Sequence, residues 1–168
     1  MTLVRRFLAF AFCLLPVQSL KAGSTKDSCP AQPNSLLSMR DCYRPLLVFT
    51  PSLNDPESVR QLDELSRHSP EMKDRDIVVI LITSRDAVAP RPPADLPAVA
   101  LSQSEVAAAR SRFKVGSHSF RVILIGKDGS QKLSSGVVVS VDKLSSLVDS
   151  MPMRKQEIKQ RSQVPEPH

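Results

Sequence analysis

The chain has 168 residues, with 23 Lys and Arg against 17 Asp and Glu, one Tyr, six Phe and no Trp. That length suits one domain with appendages. So few aromatics support neither base stacking on a nucleic acid nor an aromatic sugar platform, and much of the basic excess sits at the two ends of the chain, not on one face.

Arg5 and Arg6 precede an unbroken apolar run, Phe7–Leu15, followed by Pro16 and small or polar residues. This is the layout of a secretory signal, and the run is too short to span a bilayer core. Residues 1–22 are expected to be a signal peptide cleaved after Ala22, or earlier after Ser19; an uncleaved anchor is the alternative. Cleavage at Ala22 removes Arg5, Arg6 and Lys21, lowering the net charge from +6 to +3. It also removes Cys13. Cys29 and Cys42 then remain as an even pair in an oxidising compartment, where a disulfide is the default. The expectation is an exported protein, periplasmic or extracellular, with no stable membrane anchor.

Residues 23–43 are polar, irregular and interrupted by Pro30 and Pro33. Pro45–Thr50 is a short apolar run that predicts a buried strand. Asp55 is a good N-cap, and Pro56 suits the first helical position; Val59, Leu62 and Leu65 give that helix an apolar stripe, and Pro70 ends it. Ile77–Thr83 is continuous and β-branched, the mark of a central parallel strand. Residues 84–101 hold four prolines and predict a loop. Ser102 and Glu105 form a capping box, Val106, Ala109 and Phe113 line the following helix, and Gly116 is placed to end it. Arg121–Lys127 predicts a third core strand, Asp128-Gly129 a turn, and Val137–Val139 a fourth strand. Val141, Leu144, Leu147, Val148 and Met151 recur at helical spacing. Pro152 closes that helix, and 154–168 is expected to be a disordered tail. The order β-α-β-α-β-β-α predicts an α/β fold: a thioredoxin-like core with a central four-stranded mixed sheet flanked by helices.

Particular motifs narrow this. Arg44–Ser52, Asp55-Pro56, Val59–Leu62, Asp74–Val79, Phe113–Val115 and Phe120–Gly129 resemble the domain-of-unknown-function 4174 family (DUF4174) over about residues 44–154. The resemblance implies a thioredoxin-like domain in small exported bacterial proteins. It is similar to domains of vertebrate matrix proteins such as coiled-coil domain-containing protein 80 and the sushi-repeat-containing proteins. It brings no assigned activity.

Register tests the chemistry. A thioredoxin dithiol opens the helix after the first core strand, where the helix N-terminus stabilises a thiolate. Counted from Phe49, the two cysteine positions fall near Asn54 and Glu57. A peroxiredoxin alignment on Phe49-Thr50-Pro51 puts the peroxidatic position near Leu53. The thioredoxin cis-proline position falls at Arg121. None of the three thiol positions holds sulfur, and disulfide exchange needs a thiolate. Thr50, Ser52, Asn54, Asp55 and Arg121 are the candidate binding residues, at the carboxyl end of a parallel strand where open α/β sheets take ligands. Arg121, at the start of a buried strand near that pocket, is placed to meet an anion or a carboxylate such as Asp55 or Glu57; a plain surface salt bridge is its alternative, as helix capping is for Asp55 and ordinary turn chemistry for the rest.

His68 and His118 stand alone, so no metal site is expected, and no motif implies a cofactor or a Ser-His-Asp centre. These observations favour a non-catalytic module that binds an extended peptide or another exported protein, and no nucleic acid. The alternative is a thiol oxidoreductase or peroxidase-like enzyme using Cys29 and Cys42 or unidentified groups.

Overall fold

The computed structural model describes residues 29–83 and 93–163. The expected signal peptide, the first half of the proline-rich loop and the last five residues lie outside that range. Residues 29–43 form successive turns. Then follow β1 (Arg44–Thr50), α1 (Pro56–Arg67), α2 (Ser69–Asp74), β2 (Ile77–Thr83), α3 (Gln103–Phe113), β3 (Arg121–Ile125), β4 (Gln131–Ser135), α4 (Val141–Ser150) and α5 (Pro152–Ser162).

The four strands form one sheet in the order β2-β1-β3-β4. β1 runs parallel to β2, Arg44 opposite Ile77 and Thr50 opposite Thr83. It runs antiparallel to β3, Phe49 facing Arg121. β3 and β4 form an antiparallel hairpin. Strands β1 and β2 are buried from end to end, and β3 is buried from Val122 to Ile125, because helices cover both faces. Alternation splits the core in two. Leu46 and Val48 pack with Leu65, Met72, Leu144 and Val148 beneath α1, α2 and α4. Leu47 and Phe49 pack with Met39, Ala109 and Val115 on the α3 side. Leu46, Leu47, Val48 and Phe49 are wholly buried, each stabilising the fold by roughly 1.5–3 kcal/mol.

The caps expected from sequence are present: Asp55 accepts from the Ser58 N–H at 3.0 Å, and Ser102 from that of Glu105 at 3.3 Å. Several boundaries differ. Pro70 does not end the helix begun at Pro56; it sits in the first turn of a separate α2, where its missing N–H costs nothing. Helix α3 is ended by Lys114 in the left-handed region, φ 54°, and not by Gly116. Strand β3 stops at Ile125 because the tight turn 126–129 follows, closed by the Gly129 N–H on the Gly126 carbonyl at 2.8 Å.

Two expectations are corrected outright. The fourth strand is Gln131–Ser135, the polar run directly after the turn, and not Val137–Val139. The hairpin ladder is already complete when Ser135 meets Val122. Val139 instead finds a side chain: its N–H donates to Gln61 Oε1 at 2.8 Å, and its carbonyl accepts from Gln61 Nε2 at 2.9 Å. The expected disordered tail is, up to Ser162, helix α5. Ion pairs hold it: Arg154 is 3% exposed and bonds Asp74 and Asp149, while Glu157 lies 2.9 Å from Arg44 and 2.8 Å from Lys127. Lys127 also reaches Asp76 at 2.9 Å. This charge network occupies the amino end of β1 and β2. Among the described residues no helix is long and apolar enough to cross a membrane.

Candidate functional site

Strand β1 delivers Thr50 to its carboxyl end, and the turn 51–55 feeds α1 directly after it. Thr50 Oγ1 donates to the Ser52 carbonyl at 2.5 Å and accepts from the Ser52 N–H at 3.2 Å. Ser58 Oγ lies 2.5 Å from Thr50 Oγ1 and 3.0 Å from Asp55 Oδ2, so its single proton is shared between two acceptors. Thr50 and Ser58 are fully buried. Ser58 was not among the residues singled out from sequence; its signal was its place three residues after the capping Asp55.

This corner is a closed hydrogen-bonded knot. The amino end of α1 is taken by the Asp55 carboxylate, which complements the helix dipole from within the chain. Asp55 already takes the Ser58 N–H, and neither buried hydroxyl is open to attack from solvent. Leu53, in the peroxiredoxin position, is 45% exposed. Glu57 pairs on the surface with Arg60 at 2.8 Å, and Asn54 is exposed with no side-chain hydrogen bond among the described residues.

Arg121 does not join the knot. It faces Phe49 across the β1–β3 pair, and directly opposed residues project from the same side of a sheet. Phe49 belongs to the α3 side, so Arg121 does too, whereas Thr50 turns toward α1. Arg121 pairs with neither Asp55 nor Glu57, and its Nε is buried without a hydrogen-bond partner. Helix α3 brings another arginine to this side of the sheet: Arg110 Cζ is 5.4 Å from the Phe49 ring centroid. Arg110 donates to the carbonyls of Gly116 at 3.0 Å and Ile82 at 3.4 Å. Burial pushes its pKa below the usual value. Neither arginine has a carboxylate partner among the described residues. Arg110 escaped the sequence reading although it falls one turn after Val106, on the stripe that faces the core. The five candidates therefore divide. Thr50, Ser52 and Asp55 are bonded together, Asn54 stands apart, and Arg121 with Arg110 forms a cationic edge around Phe49.

Cys29 and Cys42 are joined, with Cα atoms 5.6 Å apart. Cys42 precedes the amino end of β1 by two residues, while the knot lies past its carboxyl end. A seven-residue strand separates them, roughly 20 Å at about 3.3 Å per residue. Tyr43 Oη donates to the Pro30 carbonyl at 2.8 Å, and Met39 is fully buried in the α3-side core. The disulfide thus closes a segment that is also packed against the sheet.

A mixed sheet with helices on both faces and a helix opening just past its first strand defines a thioredoxin-like domain. Solved structures agree at the level of fold. Reduced 2-Cys peroxiredoxin of Plasmodium vivax superposes with a TM-score of 0.54 at 12% identity, over 72% of this chain and 84% of that one. Thioredoxin peroxidase I of Plasmodium yoelii gives 0.51 at 17% identity, over 78% and 83%. The mitochondrial 2-Cys peroxiredoxin of Plasmodium falciparum gives 0.50 at 14%, over 76% and 83%. No curated protein matches the chain. The model of the domain of unknown function DUF4174 matches residues 35–157, and the chain belongs to that family.

Proposed function

We propose that the protein is an exported, non-catalytic binding module that takes an extended peptide, or another exported protein presenting one, at the Phe120–Arg121 edge beside residues 52–57. The observation that carries this reading is the separation of the Cys29–Cys42 disulfide from the corner past β1 by the length of that strand. Where a thioredoxin-like fold usually holds a thiolate, this chain holds Thr50, Asp55 and Ser58 bonded to one another. Export is supported by the signal-like layout of residues 1–22 and by the Cys29–Cys42 disulfide, a bond that persists in oxidising compartments.

The adjoining edge supplies the attraction. Arg110 and Arg121 flank Phe49 without a carboxylate partner among the described residues, and an arginine fork accepts a carboxylate through paired, charge-assisted hydrogen bonds. An extended peptide with an acidic side chain meets that requirement through side chain and backbone together. The test is fluorescence anisotropy with a labelled Glu-rich decapeptide. Arg121→Ala is expected to weaken binding about tenfold, the equivalent of ~1.4 kcal/mol, with the thermal midpoint unchanged. Equal binding by wild type and variant contradicts the proposed edge.

A further inference from the structure

At the opposite end of the sheet, helix α3, the 29–43 segment and the β3–β4 turn line an open-sided cavity of about 320 Å³. Its walls are apolar: Leu36 and Leu37 from the segment, Ala108 and Ala109 from α3, and Ile125 from the end of β3. Leu37 is 71% exposed, a large aliphatic side chain held beside an opening. Its segment is fixed on several sides, by the disulfide, by buried Met39, and by the Asp41 N–H on the Lys127 carbonyl at 2.9 Å. The cavity is therefore preformed and does not depend on a partner to shape it.

Two guanidiniums stand at its rim. Arg112 Nη2 donates to the Gly129 carbonyl at 2.7 Å. Arg40 lies across Gly129, where a Cβ would come within 2.5 Å of its Nε; Gly129, at φ 75°, is favoured by the turn, and the arginine rests directly on it. Neither arginine is paired with a carboxylate among the described residues. The one acid in the lining, Glu105, turns an oxygen to the Leu36 N–H at 3.4 Å. The rim keeps a net positive charge above an apolar floor.

We propose that this cavity binds a small free aliphatic carboxylate, its tail against Leu36, Leu37, Ala108 and Ile125 and its head between Arg40 and Arg112. The volume lies near the lower limit of small-molecule sites, roughly 300–1,000 Å³, which selects a short ligand. A guanidinium matches a carboxylate in geometry and charge, whereas an ammonium on the same tail meets two like charges. The site is independent of Arg121 and the proposed peptide edge.

The test is a heteronuclear NMR titration of the full protein with sodium octanoate, octylammonium chloride and 1-octanol. Octanoate is expected to shift the amides of residues 36–40, Ala108 and Gly129 saturably, and to bind at least about tenfold more tightly than octylammonium. The double variant Arg40→Gln/Arg112→Gln, altered at two exposed positions, should lose that preference and keep the weak binding of octanol. Ala108→Phe, also at an exposed position, should fill the cavity and abolish the shifts from both octanoate and octanol. Equal binding of octanoate and octylammonium, an unchanged affinity in the double variant, or shifts that do not saturate would each overturn the assignment.

Discussion

Glu157 bridges Arg44 and Lys127 at the amino end of the sheet. Burial alone would raise its pKa, but hydrogen bonds from Arg44 and Lys127, and their charges, hold its carboxyl below the ordinary value. Asp74 and Asp149 are lowered in the same way, burial being outweighed by Arg161 and Arg154 at the first and by Arg75 and Arg154 at the second. A group whose folded pKa lies below its unfolded one stabilises the fold above the unfolded value and ceases to do so as pH falls through the folded value. Stability to urea should therefore hold near neutrality and fall as the pH drops below the ordinary carboxylate range, about 4 to 4.5. Replacing Glu157 by Gln leaves Arg44 and Lys127 without their shared anion. The expected loss at pH 7 is about 2–3 kcal/mol, under the usual figure for a broken buried pair because Glu157 keeps 19% of its surface in water. The variant should also lose less on acidification, and an unchanged urea midpoint would show that Glu157 does not stabilise this end of the sheet.

At the scale of elements, the Gln61–Val139 pairing replaces a stretch of sheet. Val137–Val139 has the composition of a strand, but among the described residues no strand pairs with it; one amide on α1 satisfies both main-chain groups of Val139. Gln61→Leu should cost about 3 kcal/mol, because two buried backbone groups lose their partners at roughly 1–3 kcal/mol each. Chemical denaturation followed by circular dichroism would measure it, and the Val139 amide should lose its protection from hydrogen exchange. The same particulars explain what the sequence could and could not convey. Strands β1 to β3 were legible because full burial on both faces leaves a continuous apolar run. The caps at Asp55 and Ser102 were legible because the interaction is local. Strand β4 was not, since Gln131–Ser135 is a mostly exposed edge whose membership rests on the hairpin turn and not on its composition. Helix α5 was hidden because its partners, Asp74, Arg44 and Lys127, are distant in the chain. In the candidate site, Thr50, Ser52 and Asp55 were found by register. The side of the sheet taken by Arg121 needed the strand pairing, and Arg110 needed a charged residue on a core-facing stripe to be read as a feature and not as an interruption.

Taken whole, the molecule separates its chemistry by the length of one strand. At the carboxyl end of β1 a hydroxyl and carboxylate knot fills the corner beneath a cationic edge. At the amino end lie the disulfide, the ion-pair network and the apolar cavity. A thiol-based activity would require sulfur to reach the start of α1 across the sheet, and the packed Met39 and the Tyr43–Pro30 contact hold the segment that carries it. Loss of the disulfide should cost about 3 kcal/mol in the chain-entropy account while leaving every group at the corner in place. The most direct measurement is turnover of hydrogen peroxide and of a protein disulfide, with excess dithiol reductant, by wild type and by the Cys29→Ser/Cys42→Ser double variant. The account predicts no rate above the uncatalysed background for either protein; turnover by wild type that disappears in the double variant would contradict it.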